Sequence, residues 1–138
     1  MPERHTVKAF VSLVEGGRFI DALQRYYHPA AVVWENLRQS RTGLDALMEN
    51  EHQVLARFAT VTAHAARVVI DGDHVVINWR FGFYADSVRI LLDEVAVQQW
   101  ADGKIVYERF YYDPAQLHPG APEPAFDGDI REAVPGSG

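Results

Sequence analysis

The feature that most limits what this chain can fold into is a change of period near Thr60. Before it, apolar residues recur three and four apart, as on one side of a helix. Val7, Phe10, Val11 and Val14 predict an amphipathic helix over 3–15, ended by Gly16-Gly17. Phe19, Ile20, Leu23, Tyr26 and Tyr27 predict a second over 18–27, stopping before Pro29. A short strand follows from Ala31 to Asn36. Thr42, with Asp45 three residues on, reads as an N-cap, and Leu44, Leu47, Met48, Val54, Leu55 and Phe58 predict a third helix over 43–58. After Thr60 the side chains alternate, with β-branched and aromatic residues enriched. Turn signals at Asp71-Gly72-Asp73, Ala85-Asp86-Ser87 and Asp102-Gly103 cut this stretch into four antiparallel strands, 60–70, 74–84, 88–100 and 104–112.

Helices first and strands afterwards predict an α+β domain, cone-shaped, with three N-terminal helices on a strongly curved antiparallel sheet. At 138 residues with 48% hydrophobic side chains, one such domain is the expectation, spanning 1–117. From 118 to 138 the chain holds Pro119, Pro122, Pro124 and Pro135 and little apolar bulk, so a flexible tail is expected there. The net charge of −6 is the wrong sign for a phosphate backbone, and no nucleic-acid partner is expected. No apolar run approaches a membrane span, and Met1 to Ser12 lacks the pattern of a signal peptide. With no cysteine, disulfides, thiolate metal sites and thiol nucleophiles are excluded. The expected location is cytoplasmic.

Strand faces follow from the turns. If Asp102-Gly103 is a two-residue turn in a regular hairpin, Val97 lies opposite Glu108, Val95 opposite Phe110 and Asp93 opposite Tyr112. That expectation puts Glu108, Phe110 and Tyr112 on the helix-facing side with Asp93, and Asn78, Arg80, Gly82 and Tyr84 beside them. Val75, Ile77, Trp79, Phe81 and Phe83 then point the other way. An apolar set interrupted by polar groups reads as a pocket lining.

Several strings resemble the nuclear transport factor 2-like superfamily, in its SnoaL-like branch. They are Phe19 to Asn36 (FIDALQRYYHPAAVVWEN), Thr42 to Leu47 (TGLDAL), Asp93 to Trp100 (DEVAVQQW) and Asp102 to Pro114 (DGKIVYERFYYDP). The resemblance covers about residues 5–117 and implies an α+β roll around a deep pocket. Its relatives include polyketide cyclases, ketosteroid isomerases, scytalone dehydratases, limonene-epoxide hydrolases and members without catalysis, so it implies the fold more narrowly than the activity. Registered on the epoxide hydrolases, Trp34 stands in place of a water-positioning tyrosine, Asn36 matches the asparagine and Arg80 the arginine. Gly82 and Phe110 replace that family's two aspartates, and the activity is not carried over. Against the ketosteroid isomerases the general base falls near Glu35 or Asn36 and the oxyanion-hole acid near Val95.

Glu108 is the candidate acid or base, because a carboxyl among Trp34, Phe110 and Tyr112 has its charged form desolvated. The plainer reading is a pair with Arg80 or a cap on the pocket mouth. Arg80 is the expected anchor for an oxygen-bearing or anionic ligand, unless Asp93, opposite it, occupies it in an internal ion pair. Asn36 and Asn78 are expected to orient the ligand against Trp34, Phe110 and Tyr112, with His64 on the same face, although each could instead satisfy local backbone. The histidines form no HxH or HxxxH pair, and no GxSxG, GxGxxG or phosphate-loop pattern occurs, so no metal and no cofactor are expected. A homodimer through the outer sheet face is expected, to cover Val75, Ile77, Trp79, Phe81, Trp100, Tyr107 and Tyr111. Two functions stay open: a cofactor-independent cyclase, isomerase or dehydratase acting on a small apolar oxygen-bearing molecule, or a non-catalytic ligand-binding or dimerisation module.

Overall fold

The computed structural model describes residues 1–118, and the tail expected beyond Leu117 lies almost wholly outside them. Three helices, α1 (Arg4–Glu15), α2 (Phe19–Tyr26) and α3 (Leu44–Arg57), lie on a six-stranded sheet. Its strands are β1 (Tyr27–Glu35), β2 (Arg38–Thr42), β3 (Thr60–Asp71), β4 (His74–Ala85), β5 (Val88–Ala101) and β6 (Lys104–Tyr111), in spatial order β2-β1-β6-β5-β4-β3. A 3₁₀ turn, Pro114–Leu117, closes the described chain. The α+β cone is therefore present, with the helices in its mouth and a mixed sheet as its wall.

Two features of the wall differ from expectation. β1 runs parallel to β6, which the connection through α3 and three long strands allows, whereas every other pair is antiparallel. β2 is an added edge strand. Its sequence, RQSRT, has no apolar alternation because both its faces stay wet, so period two could not reveal it. Pro29 lies within β1 where its ladder to β6 is interrupted between Tyr27 and Val32, so its missing N–H costs no ladder bond there. The capping box at α3 is not formed: Gly43, at φ 93°, is the N-cap, and the Thr42 hydroxyl instead accepts a hydrogen bond from Gln39.

The larger correction concerns faces. Asp102 and Gly103 form the expected two-residue turn, both left-handed at φ 52° and 74°, and Ala101 and Trp100 pair with Lys104 and Ile105 as that turn requires. Gln99 then pairs with Tyr107, leaving Val106 as an extra residue. This β-bulge moves Glu108 opposite Gln98 rather than Val97. One residue of slip exchanges the two faces. The helix-facing side of β5 is therefore Leu92, Glu94, Ala96, Gln98 and Trp100, and that of β4, which follows β5 without a break, is Val75, Ile77, Trp79, Phe81 and Phe83.

Val75, Ile77, Trp79 and Trp100 are accordingly buried in the core, with Val7, Phe10, Val11 and Val14 of α1, Phe19 and Ala22 of α2, and Leu47 of α3. They are not the outer patch on which the expected dimer was argued. Phe10 meets Tyr26 and Trp100 edge-on at 5.6 and 5.9 Å, locking α1 to α2 and to the sheet. Gly82 also lies on the outer side. A Cβ there would come within 2.6 Å of the Thr62 and Tyr84 hydroxyls, so the missing side chain makes room for its neighbours and not for a ligand.

Candidate active site

Between the helices and the inner face of the sheet is a cavity of about 290 Å³. Its wall is mainly apolar and aromatic: Phe10, Val14, Phe19 and Leu23 from the first two helices, Val54 from α3, and Trp79, Phe81, Phe83, Leu92 and Phe110 from the strands. Its polar groups are few, and four of the eight are acidic: Glu35, Glu51, Glu94 and Glu108, with Arg41, Asn50, Tyr27 and Tyr112. This is the composition of a small-molecule site, an apolar cup with a few convergent polar groups.

Glu108, only 2% exposed, is held by a chain of hydrogen bonds that crosses three strands. The Tyr27 hydroxyl at the start of β1 donates to Oε1, and the Gln98 amide of β5 donates to Oε2 at 2.6 Å. The Trp100 indole N–H in turn donates to the Gln98 carbonyl oxygen at 2.9 Å. The bulge at Val106 makes this possible, since it brings Glu108 level with Gln98. Burial pushes the Glu108 carboxyl up to about 7, against the two donated bonds, which favour its ionised form. Tyr27, buried against that carboxyl, is pushed well above its ordinary value.

Glu94 is differently placed. It stands on the inner face of β5, 8% exposed, opposite Trp79, and its carboxyl has no hydrogen bond or ion pair among the described residues. Burial first, then the negative charges of Glu108, Glu35 and Asp93, push it up to about 8. Two carboxyls thus share one apolar cavity with their proton affinities raised into the neutral range, one bound on both oxygens and the other unbound. At the α3 side burial also raises Glu51, partly offset by Arg41. Arg41 reaches the Glu35 carboxylate at 3.8 Å and the Ser40 hydroxyl at 3.0 Å.

Of the residues singled out from sequence, Glu108, Phe110 and Tyr112 line the cavity. Arg80, Asp93, Asn78, His64, Trp34 and Asn36 do not. Asp93 lies opposite Arg80 as expected, but on the outer side, where its carboxylate accepts from the Asn78 amide at 2.7 Å. Trp34, on the outer side of β1, lies beneath the Arg109 guanidinium at 4.4 Å. Asn36, at φ 53°, makes the tight turn into β2, and its side-chain oxygen accepts from the Tyr112 backbone N–H. His64 is exposed on edge strand β3, 3.4 Å from Glu15. Sequence reasoning missed Glu94, Gln98 and Tyr27. The available signal was the run Val75, Ile77, Trp79, Phe81, Phe83, which belongs in a core before it belongs at an interface; its side of the hairpin carries Glu94. Among the described residues no cluster of three or more histidine, aspartate or glutamate side chains could hold a metal, and no helix is long and apolar enough to cross a membrane.

Fold and cavity together define a class: α+β cones that enclose a pocket between their helices and a curved sheet. Within that class the chain belongs to the SnoaL-like domain family, whose model matches residues 7–108. A protein of Jannaschia sp. CCS1 named for its likeness to SnoaL polyketide cyclases superposes with a TM-score of 0.72 at 16% identity, covering 89% of this chain and 95% of that one. A ketosteroid isomerase-like protein of Catenulispora acidiphila, in complex with trimethylamine, gives 0.70 at 16% identity, covering 88% and 96%. TerC, crystallised with polyporic acid, gives 0.69 at 17% identity, covering 83% and 93%. No curated protein matches the sequence.

Proposed function

We propose that this protein is a cofactor-independent acid–base enzyme acting on a small, largely apolar, oxygen-bearing molecule, in a cyclisation, isomerisation or dehydration. One observation carries the reading: an apolar cavity holds two carboxyls, Glu94 and Glu108, with raised proton affinities, and only one of them is occupied by protein donors. Glu94, protonated at neutral pH and facing open space, is the group that can give a proton to a substrate oxygen or orient it. Glu108, with its ionisation near neutrality and Tyr27 bonded to it, is the base.

The test is hydrogen–deuterium exchange at the carbon next to a carbonyl, followed by NMR over a panel of small cyclic ketones. Wild-type protein should accelerate exchange in at least one. Glu108→Gln should abolish the acceleration, and Glu94→Gln should reduce it by about 10²-fold or more, the usual scale for one positioned acid or base. Exchange at the same rate in both variants would remove the acid–base reading.

A second reading, a non-catalytic ligand-binding module, has one observation in its favour. Both oxygens of Glu108 are already satisfied within the protein, as in a structural network. Under it Glu108→Gln changes stability and no turnover is found with any substrate.

The homodimer belongs to this proposal on corrected residues. Val76, Val97, Arg109 and Trp34 form one cross-strand row on the outer face, flanked by Val95, Tyr107 and Tyr111. Two copies pairing this half-buried strip, with Arg109 in it, across a two-fold axis would cover its apolar side chains. Sedimentation equilibrium of wild type and Val97→Glu should give a dimer and a monomer, and a wild-type monomer at micromolar concentration would reject it. A cytoplasmic location accompanies the proposal and is checked by cell fractionation.

A further inference from the structure

The polar lining of the cavity is lopsided. Four carboxyls, Glu35, Glu51, Glu94 and Glu108, face a single cationic side chain, Arg41, and that guanidinium already reaches Glu35 at 3.8 Å and Ser40 at 3.0 Å. No lysine or histidine contributes to the lining. The remaining wall is apolar and rich in aromatic rings, among them Trp79, Phe81, Phe83 and Phe110. Among these groups Glu94 is more than nine-tenths buried, with no hydrogen bond or ion pair to its carboxyl among the described residues. The expected anion anchor, Arg80, does not line the space at all.

We propose that the cavity takes an apolar molecule carrying a positively charged nitrogen, with the Glu94 carboxylate as its counter-ion. This rests on the reading above that the cavity binds a small molecule, and it narrows that molecule to one that carries a charged nitrogen as well: toward such a ligand the ionised Glu94 orients and does not protonate, and proton transfer falls to Glu108. The physical reason is complementarity of cost. An ionised carboxylate in an apolar cup is expensive because it has lost its water. An ammonium group beside it restores the attraction, and does so in the same low-dielectric space that made the lone charge costly. Aromatic faces add cation–π attraction for the same ligand and none for an anion. An incoming anion would meet four carboxyls and one guanidinium that is already engaged.

The proton balance follows from the neighbours. Glu94 is faced by Glu108 and Tyr112 from β6 and its end, Glu35 from β1, Glu51 from α3 and Arg41 from β2, with Asp93 beside it on its own strand; burial first, then the charges of Glu108, Glu35 and Asp93, hold its proton on. A permanent cation must displace that proton to gain the ion pair, so one proton leaves to solvent for each ligand bound. Affinity therefore rises with pH until Glu94 is ionised without help.

The experiment is calorimetric titration of the full chain with benzyltrimethylammonium, its neutral carbon isostere neopentylbenzene, and benzoate, from pH 6 to pH 8.5. The quaternary cation should bind more tightly than either other probe. Its affinity should rise by about tenfold or more across that range, with up to one proton released, measured from the buffer dependence of the heat. Glu94→Gln should lose about tenfold in cation affinity at pH 8.5 and lose the pH dependence, while keeping any affinity for the neutral probe. If that variant fails to fold, Glu94→Asp, which keeps the charge and withdraws it by one methylene, should weaken the cation but preserve proton release. Equal binding of cation and neutral isostere, or tighter binding of benzoate, overturns the counter-ion proposal and leaves the cavity as a ligand site. Binding of none of the three, by wild type at any pH, overturns both.

Discussion

The two faces of the sheet use polar residues in opposite ways: in β4 and β5 the outer face carries Asn78, Arg80, Tyr84, Arg89, Asp93 and Gln99, the inner face only Glu94 and Gln98. On the outer face Asn78 and Asp93 bond to one another, and Arg109 lies over Trp34, all within reach of water. On the inner face Gln98 and Glu108 are bonded to one another and to Trp100 and Tyr27, while Glu94, beyond Ala96 on the same face of β5, has no hydrogen bond or ion pair among the described residues. A polar group on the outer face is cheap where water reaches it, although the Arg109 Nε is buried there without a hydrogen bond. On the inner face each must be satisfied or serve a ligand, because water cannot stand in for the missing bond. The contrast points to Glu94, the cavity-lining inner-face carboxyl with no hydrogen bond or ion pair among the described residues.

Core truncation should expose the contrast most strongly. Trp79→Ala, at 2% exposure, should cost about 3 to 5 kcal/mol in chemical denaturation. Val97→Ala on the outer face should cost less than about 1.5 kcal/mol in the monomer, since little burial is lost there. Comparable losses would mean that the outer face is as fully packed as the inner.

Glu94→Gln should stabilise the protein, and increasingly so toward alkaline pH. A carboxyl whose folded-state proton affinity is raised to about 8 favours the folded state below its unfolded value near 4.5, and that contribution is lost as pH climbs to about 8. The variant lacks this loss, so its advantage should grow between pH 5 and pH 8.5 and reach about 2 to 4 kcal/mol, read as the difference in thermal or denaturant stability. A constant difference across that range would show that Glu94 finds a partner in solution and is an ordinary inner-face group.

Tyr27→Phe tests the satisfied half of the inner face. It removes the donor to Glu108 Oε1 and should cost about 1 to 3 kcal/mol. Because the lost bond favoured the carboxylate, the Glu108 carboxyl should move higher still, and the penalty should deepen as pH rises. Infrared detection of the protonated carboxyl of Glu108 at pH 7.5 would check this directly. The smallest effect is expected outside: Asn78→Ala loses its bonds to the Asp93 carboxylate and to the Glu94 backbone carbonyl and should cost about 1 to 2 kcal/mol, with cation affinity in the cavity unchanged within about twofold.

Much of the architecture was legible in the chain. The change of period at Thr60, the glycines after α1 and the aspartate–glycine turns placed every helix and the four long strands within a few residues, because local periodicity and turn chemistry act over a handful of neighbours. β2 was hidden because a wet edge strand has no pattern to show. The site was legible only in part. Glu108, Phe110 and Tyr112 were singled out because a carboxylate among aromatics stands out in any register, yet Arg80, Asp93, Asn78, His64 and Trp34 were assigned to the wrong face and Glu94 was passed over.

The misplacement of Arg80, Asp93, Asn78 and His64 descends from one residue, whereas Trp34 rested on the family resemblance. Regular pairing from the Asp102-Gly103 turn sets Glu108 opposite Val97, and no rule of local sequence says that Val106 should bulge. The bulge is decided by the core. With it, Trp79, Ile77 and Val75 meet the helices while Glu108 still faces inward to take bonds from Tyr27 and Gln98. Without it, either the apolar stripe or the carboxyl would point to the wrong side. The sequence by itself determined which segments are helix and which are strand, where they turn, and that a cone of this family results, since each of those depends on near neighbours. Which face of the sheet looks inward, which carboxyl is satisfied and which is left for a ligand were decided only when residues as far apart as Tyr27, Gln98 and Glu108 were packed together, because burial is a property of the assembled core and not of any stretch of chain.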